Sequence, residues 1–314
     1  MKRRTLILGA TATAAAGVIT ACVSAPSYDA TEAERLYPPI GRFVEVDGQR
    51  VHYWEAGQGQ PLILVHGASG NLRDFTFDIA PELARTHRVI AFDRPGFGFT
   101  DRGNSDRNWD PAAQARMLHA ASRKIGVEDP IIVGHSWGGA LALSWALQYP
   151  DETRGVIPIS GVTLPYKGSA RFFAALGLDG VIVGAYSAYM KRVAANGGID
   201  QFIDRVFRPL DPPEGYLDYV GAPLALRDAT VQANSEDIQF VNQALIRMAP
   251  DYATLRPKIE IIHGERDFIS AGHHAVPLAR MIPGATLTLL PGVGHMAHHA
   301  DIAAIRRAAE RMVA

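Results

Sequence analysis

The chain has 314 residues, 47% of them hydrophobic and 20% charged, which is enough apolar content for one large globular domain or two small ones. A formal net charge of -1 at pH 7 lacks the electrostatic footprint of a nucleic-acid binder, so no nucleic-acid partner is expected. The single cysteine, Cys22, excludes an intramolecular disulfide.

The first element in chain order is a leader. Met1-Lys-Arg-Arg-Thr5 is a positive n-region, and an Ala-rich apolar run follows from Leu6 to Ala21. That run is short for a stable transmembrane span, which needs about 20 apolar residues. It reads instead as a signal peptide over residues 1–21. Ile19-Thr-Ala-Cys22 resembles the lipobox of bacterial lipoproteins. The resemblance implies cleavage before Cys22, lipid attachment to its thiol, and an exported, membrane-anchored protein facing the periplasm or cell exterior. An ordinary cleaved signal peptide with an incidental cysteine is the plainer alternative. Arg3-Arg4 resembles a twin-arginine export signal, and the general secretory route stays open. Residues 22–41 are expected to be a tether, since Ser24 to Pro39 has no apolar periodicity and carries three prolines.

From Arg42 to the end the pattern is that of a folded domain. Phe43-Val-Glu-Val46, Asp47-Gly48 and Val51-His-Tyr-Trp54 predict a hairpin around an Asp-Gly turn. Short apolar runs then alternate with helix-length segments. The runs are Leu62 to Val65, Val89 to Phe92, Ile131 to Val133, Val156 to Ile159, Ile259 to Ile262 and Thr286 to Leu290. This predicts an α/β fold with a mostly parallel sheet covered by helices on both faces. Pro158 is tolerable only near a strand edge or end. About a hundred residues separate Ile159 from Ile259, far more than any other gap between neighbouring runs. This insert is rich in aromatics and glycine: Arg171-Phe-Phe, Tyr186, Tyr189, Phe202, Phe207, Tyr216 and Tyr219. A helical cap is expected over about 162–234, with a helix over Ser235 to Met248 feeding the next strand.

The candidate chemistry begins at Val133-Gly-His-Ser-Trp-Gly-Gly139, between a strand and a helix-like run. A strand running straight into a helix needs a very sharp turn. Glycine at 134 and 138 removes side chains that would collide there and lifts Ser136 above the sheet. A free hydroxyl is scarcely ionised at neutral pH, so Ser136 needs a base. The Gly-x-Ser-x-Gly elbow expects an acid and then a histidine downstream. His263-Gly-Glu-Arg-Asp267 and Pro291-Gly-Val-Gly-His295 each follow a strand, at the carboxyl ends where such sheets collect their sites. Asp267 is the expected acid and His295 the expected base. Glu265 and Asp251 are the competing acids. His298 and His299 fall in an expected helix start and suit solvation or packing, and His263 suits a structural place at its strand end. An oxyanion hole needs two backbone N–H groups. Trp137 offers one. Ala68, in the loop His66-Gly-Ala-Ser-Gly70, offers the other, although that loop also fits a plain glycine turn.

Together HGASG, DRPGFGFTD (Asp93 to Asp101), GHSWGG, HGERD and GVGH resemble the α/β-hydrolase superfamily, over about Arg42 to Ala314. The resemblance implies the fold, the cap and the triad Ser136–Asp267–His295, but no substrate. Relatives that dehalogenate haloalkanes or open epoxides carry aspartate at the elbow, where this chain has serine. The Asp93 to Asp101 loop is expected to support the pocket without a catalytic role. A serine hydrolase cleaving a carboxylic ester is therefore expected, with no metal and no organic cofactor. Its substrate is expected to be a small molecule with an apolar portion, matched to the aromatic cap. Carbon–carbon bond hydrolysis or perhydrolysis on the same triad is the alternative. A catalytically silent binding lipoprotein is the alternative of another class.

Overall fold

The computed structural model describes residues 30–166, 192 and 198–313. The leader, Cys22 and the cap aromatics Phe172, Phe173, Tyr186 and Tyr189 lie outside the described residues.

In chain order come α1 (Ala30–Leu36), β1 (Arg42–Val46), β2 (Gln49–Ala56), β3 (Pro61–Val65), α2 (Arg73–Thr76), α3 (Ile79–Leu83), β4 (Arg88–Phe92), α4 (Pro111–Lys124), β5 (Ile131–His135), α5 (Trp137–Gln148) and β6 (Gly155–Ile159). Then follow α6 (Ile199–Phe207), α7 (Tyr216–Val220), α8 (Asp228–Met248), β7 (Lys258–Gly264), α9 (Ala275–Met281), β8 (Thr286–Leu290), α10 (Ala297–Ala300) and α11 (Ile302–Val313). The eight strands form one sheet in the order β1-β2-β4-β3-β5-β6-β7-β8. β2 pairs antiparallel with β1 and β4, and every other pair is parallel.

Local chemistry explains the elements. The hairpin turns at Asp47 (φ 50°) and Gly48 (φ 76°), and two successive positive φ values match the twist of the flanking strands. The interior strands β3 and β6, and β4 after Arg88, are apolar throughout because successive side chains reach opposite cores. Ile63 and Val65 join the core that holds α4 and α5, while Leu62 and Leu64 join the one that holds α3 and α11. Helix α5 is buried from Trp137 to Ala146, so it is apolar all round rather than striped. Pro158 sits next to the end of the interior strand β6. There the register with β7 runs Gly155↔Lys258, Val156↔Ile259 and then Ile159↔Ile262, passing over the proline.

The structure differs from the sequence reading at the expected tether and in the cap. Residues 30–36 form α1 and pack on the domain, with Ala33 buried and Arg73 Nη2 donating to the Pro38 carbonyl (2.7 Å), so residues 30–41 are not a free tether. The helix expected from Ser235 starts at Asp228, so residues 228–234 form the first two turns of α8. Thr230, Val231, Ala233 and Asn234 are buried, and their spacing continues the inner face of the helix. Asp228, Thr230, Val231 and Asn234 are weak helix formers, and tertiary burial overrides that preference here.

The chain moves from β4 on one side of β3 to β5 on the other. This reversal opens a crevice at the carboxyl ends of β3 and β5, the ordinary ligand site of open α/β sheets.

Candidate active site

The loop after β3 and the turn after β5 meet at that crevice. Ser136 caps α5 with φ 53° and ψ -117°, a region that side chains rarely occupy. Three backbone bonds hold it there. Ser136 N–H donates to Ile159 C=O (2.9 Å), and its own carbonyl accepts from Gly139 (2.9 Å) and Val162 (3.0 Å). The two flanking glycines act differently from the sequence reading. A Cβ on Gly134 would strike the Gly138 carbonyl, and one on Gly138 would strike the Val65 carbonyl of β3. The crowding is between backbones, not with the Ser136 side chain. A Cβ on Gly67 would sit 2.9 Å from the Ser136 Cβ, so the two loops press directly together.

The acid and the base arrive from the ends of β7 and β8. Their loops are tied by Glu265 N–H to Leu290 C=O (3.1 Å) and Arg266 N–H to Val293 C=O (2.8 Å). His295 Nε2 lies 3.0 Å from Ser136 Oγ, and its Nδ1 lies 2.9 Å from Asp267 Oδ1. The carboxylate accepts only, so Nδ1 carries the proton and Nε2 is free to accept from the serine. Asp267 also accepts from Ile269 N–H (2.7 Å) and approaches His263 Nε2 at 3.1 Å. Burial opposes its charge, yet hydrogen bonds from His263 and His295 hold its carboxyl well below the usual carboxylate range. The competing acids Glu265 and Asp251 are exposed.

Of the residues named from sequence, the structure brings Ser136, Asp267, His295, Ala68 and Trp137 together, and Cys22 is not described. Ala68 and Trp137 line the same cavity as Ser136. Trp137 is the first residue of α5, where a backbone N–H has no partner within the helix and the helix dipole favours negative charge.

Residues that sequence reading gave no place, or only a packing role, also converge here. His263 was assigned to its strand end, but its Nε2 reaches both Asp267 and Ile269 C=O (2.7 Å). Its position four residues before the acid was a usable signal. His135 Nε2–H donates to the His295 carbonyl (3.1 Å). Burial, then the neighbouring His298 and His295, push the His135 imidazole well below its usual range, so it is neutral. His298 and His299 pack as expected, but around a charge: their Nε2 atoms lie 3.0 Å from Asp74 Oδ2 and Oδ1. His299 Nδ1 also reaches Asp78 (3.0 Å), and Tyr216 of α7 donates to Asp74 (2.7 Å). Burial opposes a charge on His299, but hydrogen bonds to Asp74 and Asp78 push its pKa up to about 9. The loop from Asp93 does support the pocket. The Asp93 carboxylate accepts from His52 (2.6 Å), Leu72 (2.7 Å) and Phe99 (2.8 Å), tying β2, β4 and the approach to α2.

Above Ser136 lies a cavity of about 460 Å³. Val162, Ile203, Val206, Leu226, Val241 and Met296 give it an apolar wall, and Phe268, 63% exposed, rests on the His295 ring at 4.6 Å. Phe202 and Tyr216 contribute from the cap.

A family model described as the alpha/beta hydrolase fold matches residues 60–301. The 2-hydroxy-6-oxo-6-phenylhexa-2,4-dienoate hydrolase of Burkholderia cepacia is 26% identical over 264 residues, covering 80% of this chain and 87% of its own. A putative lipase of Acinetobacter baumannii AYE superposes with a TM-score of 0.70 at 20% identity, covering 90% of this chain and 95% of its own. A bacterial membrane phospholipase A gives 0.69 at 20% identity, covering 90% and 89%. At these identities the two structures establish likeness of fold.

Proposed function

The chain belongs to the α/β hydrolase fold family, and from that premise we propose that it is a serine hydrolase cleaving carboxylic esters with an apolar acyl or aryl portion. The observation that carries this reading is the 3.0 Å approach of His295 Nε2 to Ser136 Oγ, with Asp267 on the other ring nitrogen, at the base of an apolar cavity.

In the proposed reaction His295 takes the hydroxyl proton as Ser136 Oγ attacks the ester carbonyl. The carbonyl oxygen gains charge and is met by the Ala68 and Trp137 N–H groups. Collapse expels the alcohol, which receives the proton held by His295, and leaves an acyl-enzyme. Water, deprotonated by His295, then releases the acid and restores the serine. Asp267 holds the imidazole in its Nδ1–H form and stabilises the imidazolium.

A second reading, hydrolysis of a carbon–carbon bond, is favoured by likeness to the Burkholderia cepacia enzyme. A dienoate carries a carboxylate that needs a cationic or strongly donating partner. Among the described residues lining the cavity there is no lysine or arginine to pair with it, Tyr166 offers only a neutral hydroxyl, and the one carboxylate, Asp74, is already met by His298, His299 and Tyr216. This supports an uncharged ester. A series of p-nitrophenyl esters from acetate to palmitate, run beside a 2-hydroxy-6-oxo-dienoate, tests the choice. Ester turnover well above dienoate turnover is expected, and the opposite order favours the second reading.

The leader supports a proposed location. Cleavage before Cys22 and lipid on its thiol would hold the hydrolase at a membrane facing the periplasm or cell exterior. Among the described residues no helix is long and apolar enough to cross a membrane.

A further inference from the structure

Resting on the serine-hydrolase reading, we propose that Arg94 is a positioning residue for the oxyanion hole, gripping both donor residues at once through its buried pair with Asp237. Arg94 follows β4 and is fully buried, and its Nη1 lies 2.7 Å from Asp237 Oδ2 on α8 and 2.9 Å from Gln114 Oε1 on α4.

The first grip is on the loop after β3. Arg94 Nη2 donates to the Gly67 carbonyl (3.2 Å), which also accepts from His66 Nδ1 (2.8 Å). Arg94 backbone N–H donates in turn to His66 Nε2 (2.9 Å), so His66 must be the neutral Nδ1–H form. Burial and the Arg94 charge push the His66 pKa down to about 4, which agrees with that form. The Gly67–Ala68 peptide is trans, so its C=O and N–H point in opposite directions. Pinning the Gly67 carbonyl against Arg94 therefore turns the Ala68 N–H the other way. Ala68 faces the cavity, and Gly67 abuts Ser136. Without that pin the peptide could rotate, because glycine on one side offers little resistance.

The second grip is on Trp137. The guanidinium lies between two rings, 4.0 Å from that of Trp137 and 4.2 Å from that of Phe97. The Trp137 indole N–H donates to the Asp237 carbonyl (3.1 Å). One ion pair thus fixes the residues that carry both donors. The arrangement carries a cost: Arg94 Nε is buried without a partner. Burial lowers the Arg94 pKa to about 10 against the pull of Asp237, so the group is charged at neutral pH.

The test compares wild type with Arg94→Lys, which keeps the charge near Asp237 but loses the planar fork that reaches Gly67. Three quantities are read: kcat and KM for a p-nitrophenyl ester, inhibition by phenylboronic acid, and inhibition by the matching p-nitrophenyl alkyl ether. The boronic acid forms a tetrahedral adduct on the serine that places an oxygen at the donors, whereas the ether only fills the cavity. Full loss of one oxyanion donor costs about 10²–10³ in kcat, so a misaimed one is expected to cost roughly 10–100-fold with KM nearly unchanged. Boronic acid affinity should fall by a similar factor while ether affinity holds within about twofold. Wild-type kcat in the variant, or equal weakening of both inhibitors, would overturn the proposal. The double variant Arg94→Met/Asp237→Asn removes both charges of the pair, leaves Arg102, which also reaches Asp237 (2.8 Å), its second partner Glu236 (3.1 Å), and should show the same split if the lysine variant fails to fold. Wild-type kcat in the double variant also overturns the proposal. A wild-type protein that neither turns over the ester nor binds the boronic acid fails differently, and removes the hydrolase reading itself.

Discussion

Ser136 holds a backbone conformation that costs about 1–3 kcal/mol, and three backbone hydrogen bonds and a turn built on glycines maintain it. Strain kept at this buried serine, within 3.0 Å of a histidine nitrogen, fits the proposed nucleophile. That much was legible in sequence, because the glycines, the strand before them and the helix after them are local. His263 was only half legible. Its strand-end position was clear, but its approach to Asp267 depends on how the next loop folds back. His263→Phe should remove a bond from Asp267 and let its carboxyl rise toward the ordinary range. A kcat loss of roughly tenfold with KM unchanged is expected, well short of the roughly 10⁴-fold loss for Asp267→Asn. Steady-state kinetics on one ester checks this, and a His263→Phe enzyme equal to wild type would reduce that histidine to packing.

At the scale of elements, the cap is fastened to the sheet domain by charge as well as by apolar contact. Asp74 of α2 receives Tyr216 from α7 and both histidines of α10. Phe77, Phe207 and Tyr216 close around the His299 ring. None of this was readable from sequence, since Asp74 and His299 lie 225 positions apart. The interior strands were readable for the opposite reason, since β3, β4 and β6 are runs of adjacent apolar residues buried on both faces. The start of α8 was misplaced because its first turns are weak helix formers held by tertiary contacts. His299 gives the fastening a pH signature. Its folded pKa, about 9, stands above the ordinary 6.5, so it stabilises the fold fully below pH 6.5 and loses that contribution as pH rises through 9. A shift of this size corresponds to about 3 kcal/mol. His299→Gln should therefore destabilise the protein by up to about that amount at pH 6 and by much less at pH 9.5. Urea midpoints of both proteins at the two pH values measure it, and a pH-independent difference would show that His299 is not charged.

For the whole molecule, the apolar cavity, the exposed Phe268 beside it and the proposed lipid at Cys22 fit a hydrolase working near a membrane on uncharged substrates. Only Val23 to Asp29 lies between the proposed anchor and α1, whose Ala33 is buried against the domain, so the reach from Cys22 is limited to that stretch, at most about 3.3–3.6 Å per residue. Two acyl chains give stable attachment where one gives only marginal binding. Cys22→Ser should release the protein from the membrane fraction with its specific activity intact. Fractionation together with intact-mass analysis checks this. A mature protein without lipid, cleaved elsewhere and wholly soluble, would remove the anchor and leave the hydrolase standing. The central claim is that Ser136, activated by His295, is the nucleophile, and covalent labelling with a fluorophosphonate tests it most directly. The expected result is one adduct per chain, mapped by peptide mass to Ser136, absent in Ser136→Ala, with ester turnover in that variant reduced on the order of 10⁵–10⁶-fold. A labelled residue other than Ser136, or a Ser136→Ala protein that keeps near-wild-type turnover, would contradict it.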